Sequence, residues 1–354
     1  MGIRRRRRML VAGALAVVAL ATTACASGET APTSSDDPAA VSGQIVWADY
    51  GGPTNEAFQE VFFAPFTEET GVEVVATTLA ASVQYQMLEG EEGDYDTMMT
   101  GMAEVVLYSD NLVALPESVP RSDQLSADVA EYTIATPIIG YAQGYLASTF
   151  PDGGPQTWAD FWDTETYPGK RAVPGEYSDF MFEAALLADG VAPDDLYPLD
   201  LDRATAKLDE LKPDMVFYTE YPQVQQLLSA GGASIAFSPN GQFAALKNAG
   251  LDVTVSWDQA LVEANPFVVP SSAKNPSATF ALAEFLADPE LQAEFSRRTN
   301  YGPSSSAAFE YLSDDEIAAL PNAPEHTEII WADADNRAEL YDEMNDRYTE
   351  WLTS

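Results

Sequence analysis

From residue 43 onward, short runs of β-branched and aromatic residues alternate with stretches whose apolar positions recur every three or four residues. Helices must then connect strands, so the chain reads as α/β layers. A first strand is read at 44–47. Pro53 and Thr54 open a helix with Phe58, Val61 and Phe62 on one face, and Gly71 ends it. Strands at 72–75 and 95–99 follow, and another element begins at Glu104. Further on, Ala204, Leu208 and Leu211 share a helix face that Pro213 ends. Strands at 215–218, 234–237 and 253–255 alternate with helices at 222–231 and 240–248. Two helices opened by proline, 276–287 and 289–298, take Asn275 and Asp288 as N-caps. A last helix, 337–351, lines up Leu340, Met344, Tyr348 and Trp351. No tandem repeat at a fixed period occurs, which sets aside solenoids and propellers. A body of about 300 residues buries a large core and usually makes two domains or lobes.

The N-terminal end reads as an address. Arg4 to Arg8 precede an apolar run at 9–21, and small residues then lead to Cys25, the one cysteine of the chain. That run is short for a bilayer and suits a signal-peptide core. A lone cysteine directly after a small-residue cleavage site resembles a lipobox. The expectation is a lipoprotein signal peptide at 1–24 and a lipid on Cys25. A flexible tether rich in Ser, Thr, Pro, Asp and Ala then completes 25–42. Arg6, Arg7 and Arg8 also loosely fit a twin-arginine signal, so the general and twin-arginine export routes both stay open. No later segment is long and apolar enough to cross a membrane.

Charge and composition exclude several functions. The sequence carries 56 acidic and 17 basic residues, a net charge of −39. Such a surface repels phosphate backbones and anionic membranes, so nucleic-acid partners are set aside and membrane attachment is assigned to the lipid alone. Adaptation to salt and the demands of a ligand are alternative sources of the acidity, and both stay open. The single histidine, His326, sits in a Pro- and Glu-rich stretch, so a Ser-His-Asp arrangement is not expected. A metal site built on Cys and His is equally unsupported. Carboxylate pairs suited to glycoside hydrolysis are available in so acidic a chain, yet nothing singles out two of them. Gly51 and Gly52 do not make a phosphate-binding motif. A lipid-tethered, two-lobed α/β chain without catalytic equipment reads as a receptor for a small solute, and no cofactor is expected.

Particular segments carry a resemblance. Residues 46–52 (VWADYGG), followed by 63–71 (FAPFTEETG), resemble the opening of type II periplasmic binding proteins. Residues 158–163 (WADFWD) and 167–172 (YPGKRA) are similar to the second-lobe signature of the spermidine/putrescine-like subgroup. Residues 231–241, 265–270 (NPFVVP), 273–275 (AKN) and 301–303 (YGP) continue it in order. The resemblance implies a two-lobe α/β fold, each lobe a mainly parallel sheet flanked by helices. It places 43–137 plus about 268–305 in the first lobe and 138–267 in the second, with C-terminal helices at 306–354 packing on both. The crossings fall near 136–144 and 263–270. It further implies a monomer that closes on a solute and delivers it to the permease and ATPase of an ABC importer.

The same resemblance points to site residues. Asp49 and Tyr50 follow the first strand, and Tyr95, Asp96 and Thr100 flank another strand. Glu176 and Asp179, three residues apart with Tyr177 between them, match the acidic pair that clamps a diammonium. An acidic cluster serving a helix dipole reads equally well there. Ser238, Asn240, Glu263, Asn265 and Tyr301 complete the set. Two positions depart from polyamine binders: Ser238 and Pro239 stand where a tryptophan precedes Asn240, and residues 263–265 (EAN) replace a Trp-x-Asp. A cationic amine is the favoured solute. A shorter zwitterionic, amino-acid-like solute or a thiamine-like cation remains the alternative, and a secreted hydrolase is the competing class. The ferric-iron branch uses adjacent tyrosines, a pair this chain lacks.

Overall fold

The computed structural model describes residues 42–134 and 137–354. The proposed signal peptide, Cys25 and almost all of the tether lie outside the described residues, as does Thr136 of the first crossing.

In chain order the strands are β1 (Gln44–Asp49), β2 (Glu73–Thr78), β3 (Thr97–Met99), β4 (Thr133–Ile134), β5 (Ile138–Leu146), β6 (Arg171–Pro174), β7 (Met215–Tyr218), β8 (Ile235–Pro239), β9 (Val253–Ala264), β10 (Phe267–Val268) and β11 (Ile330–Trp331). They form a five-stranded sheet, β2-β1-β3-β10-β4, and a six-stranded sheet, β11-β9-β5-β8-β6-β7. The chain leaves the first sheet after β4, enters the second at β5, and returns between Ala264 and Phe267. In the first sheet β1 runs parallel to β2 and β3, and the returning β10 is antiparallel to β3 and β4. In the second, β6 is parallel to β7 and β8, while β5 is antiparallel to β8 and β9.

The motif residues explain these layers. Trp47 is fully buried, with its ring centroid 5.2 Å from Phe58, 4.8 Å from Phe63 and 3.7 Å from Phe267. Phe267 belongs to the returning strand, so one aromatic box ties the start of the chain to the second crossing. Each such ring contributes about 2–3 kcal/mol by leaving water. In the second sheet Arg171 is fully buried, and its guanidinium donates to the carbonyls of Phe161, Gly169 and Asp163. Trp158 is equally buried, and its Nε1 donates to the Gln259 carbonyl at 2.8 Å. Gln259 sits at φ 59°, inside the stretch where β9 loses register with β5. The 158–163 and 167–172 motifs are therefore structural.

Four expectations are corrected. The strand read at 253–255 continues to Ala264, because the bulge at Trp257–Ala260 breaks the alternation that marks a strand in sequence. Asn275 does not cap its helix: its side-chain amide donates to Ser42 O and Gln44 O, and Asp96 accepts from the backbone N–H groups of Lys274 and Asn275 instead. Asp288 does cap, accepting from Glu290 N and Leu291 N. The last helix divides into Ala334–Glu339 and Tyr341–Thr353, broken at Leu340. Within 306–354, expected as helices alone, β11 adds an edge strand to the second sheet.

Among the described residues no helix is long and apolar enough to cross a membrane.

Candidate functional site

A cluster of tyrosines and carboxylates gathers where the two sheets meet. From the first sheet's side come Tyr50, on the loop after β1, Tyr85 on the helix Ala81–Leu88, and Glu104 on the helix Met102–Tyr108. From the second come Tyr177 and Asp179, on the turn after β6, and Tyr221. Glu263 stands at the end of β9, one residue short of the return crossing. Arg337 and Tyr341 arrive from the C-terminal segment.

Tyr50 and Tyr177 are the two most exposed aromatic rings, at 66% and 62%. Tyr50 is nonetheless crowded by protein, and that crowding, then Glu104 and Glu263, pushes its phenol well above the ordinary value. Asp179 holds a left-handed backbone at φ 43° and accepts from the Tyr221 hydroxyl at 3.1 Å. Its own carbonyl accepts from Arg337 at 2.9 Å. Burial pushes the Asp179 carboxyl up to about 7, against the downward pull of Tyr221 and Arg337. Glu263 is half-buried and accepts a hydrogen bond from no described side chain or backbone group. Burial, then the like charges of Glu104, Asp179 and Glu183, lifts it to about 8 even though Arg337 pulls it down. A carboxyl in that position is poised to gain from a cation.

Arg337 lies across this group. Its Nη1 donates to Glu183, a carboxylate with no solvent exposure, and its guanidinium stacks 4.2 Å from the Phe180 ring. Burial opposes its charge, but Glu183 and Glu263 outweigh that and raise its pKa. The second oxygen of Glu183 has no partner among the described residues, and neither do the buried hydroxyls of Thr100 and Ser238.

The remaining named residues are committed to the scaffold. Asp49 accepts from Trp47 Nε1 at 2.9 Å, Gly51 N at 2.7 Å and Asn55 Nδ2 at 2.7 Å, which shapes the loop carrying Tyr50. Asp96 accepts from Val46 N as well as from Lys274 N and Asn275 N, so its oxygens are occupied by backbone. The Tyr95 hydroxyl accepts from Ala80 N. Asn240 accepts from Gly140 N of β5 and donates to Asn300 O, which ties the second sheet to the turn after the helix Pro289–Thr299. Asn265 donates its backbone N–H to Pro137 O and is half-buried. Tyr301 is buried, its phenol is raised to about 12 by burial, and it lies so close to Gly241 that a Cβ there would stand 2.6 Å from its hydroxyl. Glu176 is exposed. The expected acidic pair is thus unequal, with Asp179 drawn in and Glu176 left in water.

Sequence reasoning missed Glu104, Tyr85, Tyr221, Glu183, Arg337 and Tyr341. None stands in a motif. Arg337 alone left a trace, being one of 12 basic residues beyond Arg8. Apart from this junction, a void of about 10 Å³ among Phe58, Phe62, Leu286 and Phe295 is a gap in the apolar core with room for one water at most. Among the described residues no group of three or more His, Cys, Asp or Glu side chains is placed to hold a metal ion.

Two α/β sheets joined by paired crossings, with tyrosines and carboxylates of both turned to the junction, define a binding protein for a small solute. Residues 62–325 match the family described as bacterial extracellular solute-binding protein, and the chain belongs to it. It is the solute-binding subunit of an ABC importer, exported to the periplasm or cell surface, and not an enzyme. A γ-aminobutyric acid-binding protein of Pseudomonas aeruginosa is 28% identical over 327 residues, covering 85% of this chain and 89% of that one. An ABC transporter substrate-binding protein from Bradyrhizobium japonicum superposes with a TM-score of 0.80 at 25% identity, covering 88% of this chain and 99% of that one. The Atu4243 GABA receptor gives 0.79 at 28% identity, with 87% and 97% covered.

Proposed function

We propose that the junction binds a small solute bearing an ammonium group, and that this solute is amino-acid-like, of the size and charge of γ-aminobutyrate. The observation that carries the reading is Glu263, a half-buried carboxyl held near neutrality by burial and like charge and left without a hydrogen-bond donor. An ammonium group supplies both the donor and the charge, with Asp179 beside it, while Tyr50 and Tyr177 pack the methylenes. A carboxylate at the other end of the solute would find Arg337 and the unpartnered hydroxyls of Thr100 and Ser238. The relatives named for γ-aminobutyrate support this choice over a polyamine.

A diamine is the second reading. It is favoured by the excess of carboxylates (Glu104, Glu176, Asp179 and Glu263) over the single guanidinium. Calorimetric titration with γ-aminobutyrate, putrescine, spermidine and thiamine separates the two. Saturation at about 100 times Kd should raise unfolding stability by about 2.7 kcal/mol. Binding of γ-aminobutyrate alone is the expected result. Binding only of putrescine or spermidine would transfer the assignment to the diamine, and binding of none of the four would overturn it.

We also propose that a lipid on Cys25 tethers the protein to the outer face of the cytoplasmic membrane. Cells fed labelled palmitate should then label the wild type, while C25S stays unlabelled and appears in the soluble fraction. A wild-type protein that takes up no label would refute the anchor.

A further inference from the structure

We propose that Tyr341 and Arg337 are positioning residues for the solute site: the C-terminal segment, held by the second lobe, reaches across the junction and sets Glu104 and Asp179 in place. This rests on the reading of the junction as the binding site.

Most of the segment's hydrogen bonds run to the second lobe. The Tyr348 hydroxyl donates to the Pro174 carbonyl at 2.7 Å, and Trp351 Nε1 donates to Asp209 at 2.9 Å. Leu199 N donates to Asn336 Oδ1 at 3.2 Å, and Arg337 grips Glu183 and the Asp179 carbonyl. All these partners belong to the second sheet and its helices. Tyr341 turns the other way. Its hydroxyl donates to Glu104 Oε1 at 2.7 Å and lies 2.5 Å from the Tyr85 hydroxyl, and the helix Ala334–Glu339 packs on the helix that carries Glu104.

The proton directions in that chain are fixed. A carboxylate only accepts, so Tyr341 gives its proton to Glu104 and must accept from Tyr85. The relay fixes the orientation of the Glu104 carboxylate, and the bonds of such a chain strengthen one another when shielded from water. On the far side, Arg337 holds the carbonyl of a residue in a left-handed turn, which fixes where the Asp179 carboxylate points. One short segment therefore sets a carboxylate in each lobe, and its two working residues stand four positions apart.

The test uses Tyr341→Phe, which keeps the ring and removes the relay, and Arg337→Lys, which keeps the charge and loses the fork. Both are titrated with γ-aminobutyrate, putrescine and spermidine, and ligand-free wild type and variants are compared by amide hydrogen exchange. Tyr341→Phe should weaken binding roughly five- to tenfold with the unfolding midpoint little changed, and exchange in 81–88 and 102–108 should quicken. Arg337→Lys should weaken binding similarly and quicken exchange around 176–183. Wild-type affinity together with wild-type exchange in both variants would overturn the proposal. If the wild type binds none of the amines, the binding reading fails, and the exchange rates still decide whether the segment links the lobes. If Glu263→Gln abolishes binding while both variants match wild type, the site stands and its positioning from the C-terminus falls.

Discussion

Glu263→Gln combined with Asp179→Asn should weaken binding of an ammonium-bearing solute at least about a hundredfold. A charge-assisted hydrogen bond contributes about 2 kcal/mol, and each 1.4 kcal/mol is a factor of ten in affinity. Two such bonds would approach a thousandfold if they added fully, and neighbouring groups rarely do. Folding should survive the change. Burial already drives both carboxyls toward their neutral forms, and an amide copies the shape of a protonated acid. The amide introduced by Asp179→Asn would still offer an oxygen to the Tyr221 hydroxyl that now donates to Asp179. The unfolding midpoint of the ligand-free double variant should therefore match or exceed that of the wild type at neutral pH. Glu176→Gln serves as the contrast, because a carboxylate in open water is screened and loses little when neutralised. Calorimetric titration of the three proteins decides the matter. A double variant within threefold of wild type would remove Glu263 and Asp179 as partners of the ammonium group.

How far the sequence carries can be seen in particular residues. Trp47 stands in the strand read at 44–47, which the fold forms as β1, whereas β6 with its buried Arg171 stood in a motif but was not read as a strand. The helix Asn240–Asn248 was readable to the residue, because its apolar spacing and the Pro239–Asn240 start leave one interpretation. Long-range partners were not. The resemblance offered Asp49 and Asp96 as ligands, yet Asp49 accepts from its neighbours Trp47, Gly51 and Asn55, and Asp96 from the backbone N–H groups of Lys274 and Asn275, which only the fold brings near. Asn275 has the composition of a cap and lacks its geometry, since its side-chain amide is held by the carbonyls of Ser42 and Gln44, far upstream in the chain. Glu104 and Arg337 lie far apart in sequence, on helices whose patterns speak only of packing. No spacing rule relates them, and their meeting follows from the two crossings that bring both sheets together. Sequence pattern reports faces of elements, whereas the site is made between elements.

Binding should tighten as pH rises from 6 to 8. With no solute, Glu263 gains its proton near pH 8 and Asp179 near pH 7. An ammonium group pairs with ionised carboxylates, so its arrival expels whatever protons they hold. Between pH 7 and 8 about one proton leaves per solute bound, and below 7 the number approaches two. Affinity therefore climbs by roughly tenfold per pH unit in the upper interval and more steeply below it, then levels off above 8. It falls again only as the amine itself loses its proton near 10. The same shifts fix the sign for folding. Both folded-state values lie above the unfolded ones of 4.5 and 3.8, so the folded protein holds extra protons and the ligand-free form loses stability as pH rises from about 4 to 8. Bound solute cancels that loss. Unfolding midpoints measured from pH 5 to 9, with and without solute, should thus diverge as pH increases. The opposite slope, with binding tightest at pH 5 to 6, would mean that the carboxyls act as protonated donors to an anion. Glu263 would then sit at the acidic end of the solute instead of the amine.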